Sequence, residues 1–86
     1  MPRLSQFFGI IISMYYDDHN PPHFHATYSG EEAELSIDPI RIIQGHLPNR
    51  VRSMVFEWAA QHQEELRQNW QRGVDHQPLV KIPTLE

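Results

Sequence analysis

Cysteine is absent from all 86 residues of this chain. Disulfides, thiolate-bound zinc, iron–sulfur clusters and cysteine nucleophiles are therefore excluded together. Positive charge is also in short supply: seven Lys and Arg stand against eleven Asp and Glu, a net charge of −4 with histidine neutral. A passive nucleic-acid binder draws its affinity from a basic surface that neutralises phosphates, so that class is disfavoured. A nuclease with a small local patch of Arg and His is still allowed. Long hydrophobic runs are missing too. The longest apolar stretch lies between Gln6 and Ser13 and spans six residues. It is too short to cross a bilayer and has no cleavage pattern after it, so a cytoplasmic protein without membrane attachment is expected.

The remaining composition, 40% hydrophobic and 21% charged, suits a folded globular chain. Its length fits one domain over residues 1–86. A chain of this size buries only about 60% of the surface its unfolded form exposes, so a homodimer or a protein partner would be a natural supplement.

Histidine, by contrast, is concentrated. Three of the six histidines fall within Asp17–His25, which reads DDHNPPHFH. Strand periodicity governs the end of this segment. His23 and His25 are two apart in HFHATY, so both side chains leave one face and Phe24 leaves the other. Their Cα atoms would stand about 6.6 Å apart at about 3.3 Å per residue, close enough to share a metal or a phosphate. Pro21 and Pro22 fix φ near −65° and restrict Asn20 before them, which stiffens the loop. Asp17, Asp18 and His19 lie at its near lip.

Three readings of the segment remain open. Asp18, His19, His23 and His25 are candidate ligands of a divalent transition metal, with zinc the first choice for imidazole and carboxylate donors. Alternatively His23, His25 and His19 are catalytic acid–base groups cleaving a phosphodiester without metal, aided by a cation from Arg41, Arg50 or Lys81. The third reading is a rigid surface turn.

The elements around the segment follow from their periods. Phe7–Tyr16 is apolar on both faces and reads as one central strand, with Gly9 as a bulge or close approach. His23–Tyr28 and Ala33–Ile37 read as a hairpin turning at Gly30, with Ala33, Leu35 and Ile37 facing inward. Ile40–Ile43 offers a short further strand. From about Pro48 the period becomes 3.6: Val51, Val55, Trp58, His62 and Leu66 form a stripe. This predicts one helix of roughly 24 residues, about 36 Å long, ending at Gly73. Leu79–Ile82 reads as a small edge strand. The expected fold class is α+β: a two-layer sandwich of three to four antiparallel strands, in the order β-β-β-(β)-α, covered by one long C-terminal helix. His62, Trp58 and Trp70 read as core or interface groups.

MPRLSQFFGIIISMY, DHNPPHFHATY and IIQGHLPNRVRSMVFEWAAQHQEEL together resemble the small bacterial family known as domain of unknown function DUF4160, over nearly the whole chain. The resemblance implies a second small protein as partner, in a toxin–antitoxin-like pair. In layout, the stretch from His23 into the helix is also similar to HicA-type mRNA interferases, which place a catalytic histidine on a hairpin strand. Those proteins are basic and carry a G-S-H motif that is missing here. On this basis the chain is expected to be the toxin-like member of such a pair, with RNA a candidate substrate. The alternative is a non-catalytic interaction module, antitoxin or accessory subunit.

Overall fold

The computed structural model describes residues 2–16 and 18–85. Its sheet is an antiparallel meander, β1 (Arg3–Phe7), β2 (Ile10–Ser13), β3 (His23–Tyr28), β4 (Glu31–Ile37) and β5 (Ile40–Gly45), with neighbours in sequence adjacent in space. Two helices follow, α1 (Asn49–Gln61) and α2 (Gln63–Val74). The α+β class is as expected; the counts of strands and helices are not.

The run Phe7–Tyr16 is not one strand. Phe7 pairs with Ile10, so Phe8 and Gly9 form a two-residue turn, with φ of 51° and 79°. Positive φ at both positions matches the twist that tight hairpins require. A phenylalanine there is unusual, and its side chain points outward, 63% exposed. The Ser29–Gly30 turn between β3 and β4 has the same signature, φ 49° and 83°, as the sequence foretold for Gly30.

Side-chain alternation then divides the sheet. Ile10, Ile12, Phe24, Ala26, Ala33, Leu35 and Ile37 are all buried on one face. There α1 sets Val51, Val55, Trp58 and Ala59 against them. Trp58 is fully buried, 5.7 Å from the ring of Phe7 and 6.0 Å from that of Phe24. Truncating such an anchor to alanine costs about 3–5 kcal/mol.

The single long helix is also corrected. The backbone breaks at His62, φ −122° and ψ 25°, where its N–H is shared between the carbonyls of Trp58 and Ala59. No proline or glycine marks the break; tertiary contacts accompany it. Gln63 donates to the Ile37 carbonyl at 2.7 Å, and Arg67 pairs with Asp38 at 3.0 Å, so α2 is held by the β4–β5 turn. Consequently α2 buries Leu66 in the core and brings Trp70 onto the ring of His23, which belongs to the other face of the sheet.

Leu79–Ile82 forms no strand. Its hydrogen bonds go instead to a side chain: Asn69, buried in α2, accepts from the Val80 N–H and donates to the Val80 carbonyl. One backbone bond, Ile82 N–H to Leu4 carbonyl at 2.8 Å, reaches β1. No helix of the described residues is long and apolar enough to cross a membrane.

Candidate metal centre

The polar face of the sheet carries the histidine pair. His23 stands opposite Ser36 and His25 opposite Glu34. Both rings are buried, at 1% and 7% residue exposure, with centroids 5.2 Å apart. Phe24 between them enters the core, as the alternation predicted. The loop before β3 supplies the third group. After Met14 and Tyr15 the chain returns so that Asp18 lies over both imidazoles, its Oδ2 at 3.0 Å from His23 Nε2 and 3.3 Å from His25 Nε2. Asp18, His23 and His25 each offer a ligand atom within 4.8 Å of the others.

The prolines contribute through their carbonyls, the only backbone polar group a proline has free. The Pro21 carbonyl accepts from His23 Nδ1 at 2.8 Å, and the Pro22 carbonyl accepts the Ile37 N–H. At His25, Nδ1 lies 3.0 Å from the Glu32 carboxylate. A carbonyl only accepts, so the His23 proton belongs on Nδ1 and the neutral ring presents its Nε2 lone pair. His25 meets a carboxylate at each nitrogen, Glu32 at Nδ1 and Asp18 at Nε2. This is how metal-ligating histidines are commonly oriented, by a partner on the nitrogen away from the ion.

Both Nε2 atoms face the Asp18 carboxylate. His23 Nε2 is buried and has no hydrogen-bond partner, although Asp18 Oδ2 is only 3.0 Å away. The contact is close but not aligned as a hydrogen bond. At His23 a lone pair facing a carboxylate is repulsive unless a proton or a metal cation lies between them. Ligand atoms around a tetrahedral ion at about 2.0–2.1 Å stand about 3.4 Å apart, comparable with the 3.0 and 3.3 Å from Asp18 Oδ2 to the two Nε2 atoms.

Burial pushes the Asp18 carboxyl up, and this is outweighed by the hydrogen bonds from His25 and the His19 N–H and by attraction to His23 and His25. The net result is a value below its ordinary 3.8. The carboxylate is thus held in the ionised form that a metal requires.

His19 stands outside this triad. Its side chain is 77% exposed, and its Nδ1 meets the other Asp18 oxygen, Oδ1, at 3.0 Å. Asp17 lies outside the described residues. Arg41 is exposed on β5 opposite Ser36, while Arg50 and Lys81 are exposed elsewhere. None of the ion pairs among the described residues links these cations to the cluster. His62 meets Glu65 and Trp58 and takes no part in the cluster.

Four further residues border the site and were not assigned to it from sequence. Glu32 holds His25, and Glu34 Oε1 lies 3.7 Å from His23 Nε2. Tyr15 meets the His25 ring edge-on at 4.5 Å, and Trp70 covers His23 at 5.4 Å. The two glutamates were in principle legible. Counting back from a two-residue Ser29–Gly30 turn puts Glu34 opposite His25 and Glu32 opposite Thr27, on the face of the histidines. A cavity of about 30 Å³, roughly one water's share of volume, adjoins Asp18 between Tyr15 and Trp70.

Fold and site together define an α+β meander protein with a two-histidine, one-carboxylate cluster on its polar face. The family model for a domain of unknown function, DUF4160, matches residues 9–71, and the chain belongs to that family. The matched span includes the whole triad, Glu32, Glu34 and Trp70. No curated protein and no solved structure matches the chain significantly.

Proposed function

We propose that this protein binds one divalent transition metal ion, zinc foremost, through Asp18, His23 Nε2 and His25 Nε2, and acts as the toxin-like member of a two-protein bacterial module. The observation that carries the metal reading is the buried, partnerless Nε2 of His23 facing an ionised carboxylate. Three protein ligands leave coordination positions open, as sites that do chemistry require. Metal-free acid–base catalysis is less well supported, because among the described residues no Lys or Arg is paired with the cluster to stabilise developing charge. RNA is for the same reason a less favoured substrate: Asp18, Glu32 and Glu34 repel phosphates. The rival interaction-module reading draws on the exposed apolar side chains of Phe8 and Ile43.

Elemental analysis of untagged protein tests the site. One metal per chain is expected, lost in the His23→Ala, His25→Ala double variant. Expression without its partner is expected to slow growth, and the double variant to relieve it. A metal-free parent chain that co-purifies with a partner and leaves growth unaffected would sink this reading in favour of the interaction module.

A further inference from the structure

Among the described residues, Glu34 is the one carboxylate at the cluster that nothing above has given a task. It projects from β4 opposite His25, and its side chain is 22% exposed. Its Oε1 lies 3.7 Å from His23 Nε2. It nevertheless falls outside the group of three whose ligand atoms gather within 4.8 Å. It makes none of the side-chain hydrogen bonds that hold Asp18, His23 and His25 in place. An acceptor beside a metal site, and not within its ligand set, is where a general base must stand.

We propose that Glu34 is a catalytic base and that the site hydrolyses neutral carbonyl compounds, esters or amides. This rests on the metal reading above. A water molecule polarised at the site loses a proton to Glu34 Oε1 as its oxygen bonds to the carbonyl carbon. The same proton passes from Glu34 to the leaving oxygen or nitrogen as the bond from carbon to that atom breaks. The products are a carboxylic acid and an alcohol or amine, and no other reactant is consumed.

Charge selects the substrate class. Asp18, Glu32 and Glu34 together outweigh one divalent cation, and among the described residues no ion pair joins a Lys or Arg to any of them. A polyanion is therefore disfavoured against a neutral carbonyl compound. The small cavity beside Asp18, walled by Tyr15 and Trp70, has room for a single water.

The test uses the full chain loaded with zinc, and separately with cobalt(II), as parent and as Glu34→Gln. Zinc affinity is read by chelator competition, ligand geometry by the cobalt visible spectrum, and turnover with p-nitrophenyl acetate against bis(p-nitrophenyl) phosphate. Glu34→Gln is expected to keep zinc affinity within about threefold and to leave the cobalt spectrum unchanged. The spectrum also reports that the variant is folded. Ester hydrolysis is expected to fall by about 10²–10⁴-fold, the usual contribution of a general base. A large loss of zinc or an altered spectrum would make Glu34 a ligand and overturn the proposal. Equal turnover in parent and variant would overturn it too, as would a metal-loaded parent that cleaves only the phosphodiester or neither compound. A parent chain that takes up no metal would instead remove the reading beneath it.

Discussion

His23 is the residue on which the site turns. The Pro21 carbonyl dictates where its proton sits, and burial denies the other nitrogen to water. Asp18 completes the arrangement, and its lowered pKa has a consequence for stability. A carboxyl whose folded value lies below its ordinary 3.8 stabilises the fold above about pH 4. That contribution fades as pH falls through the folded value. Asp18→Asn removes it at every pH. The gap in Tm between the metal-free parent chain and Asp18→Asn should therefore be wider above about pH 4 than at about pH 3 and shrink between the two. A gap that stays constant over that range would show that the carboxylate's partners contribute nothing. The same-face placement of His23 and His25 was legible from spacing alone. The sequence places Asp18 near the pair by proximity alone, because a loop's return path has no period.

At the scale of elements, register positions the supporting carboxylates, and Gly45 guards that register. This residue has φ 87°, and a Cβ built there would collide with the Glu32 carbonyl oxygen. Gly45→Ala must therefore push β5 from β4 as well as strain its own backbone, at a cost of about 1–3 kcal/mol. Because Glu32 holds His25 Nδ1, the variant should also bind zinc more weakly. Thermal denaturation and chelator competition check both effects; unchanged affinity in a destabilised variant would separate Gly45 from the site. Of the three elements in which the structure departs from the sequence expectation, two have identifiable causes. The Phe8–Gly9 turn lacks the Asn or Asp that usually announces positive φ. The break at His62 lies within an unbroken 3.6-residue stripe, and the contacts of Gln63 and Arg67 with the β4–β5 turn come from far away in sequence.

For the molecule as a whole, the C-terminal segment closes the core without forming a regular element. Ile82 and Leu85 are buried, and the Pro83 carbonyl accepts the Trp58 indole N–H at 2.8 Å. Removing residues 78–86 exposes the apolar surface beneath both side chains and leaves Asn69 and Trp58 without these partners. At about 1.5–3 kcal/mol for each buried side chain, the loss is about 3–6 kcal/mol. Set against a typical total of about 5–15 kcal/mol, this leaves the truncated chain near its unfolding limit. A steep fall in Tm and a red-shifted tryptophan emission are expected; a truncated chain of unaltered stability would contradict this account.

The α+β class, the β3–β4 hairpin with its inward Ala33, Leu35 and Ile37, and the shared face of His23 and His25 were determined by sequence alone. Each depends on a local period of two or 3.6 residues, which neighbouring residues impose on one another. The triad itself, the access of Glu32 and Glu34 to it, and Trp70 over His23 were decided by tertiary structure. They depend on where a loop returns, how strands align and where a helix bends. Those outcomes are set by contacts between residues far apart in the chain, and no short window of sequence contains both partners.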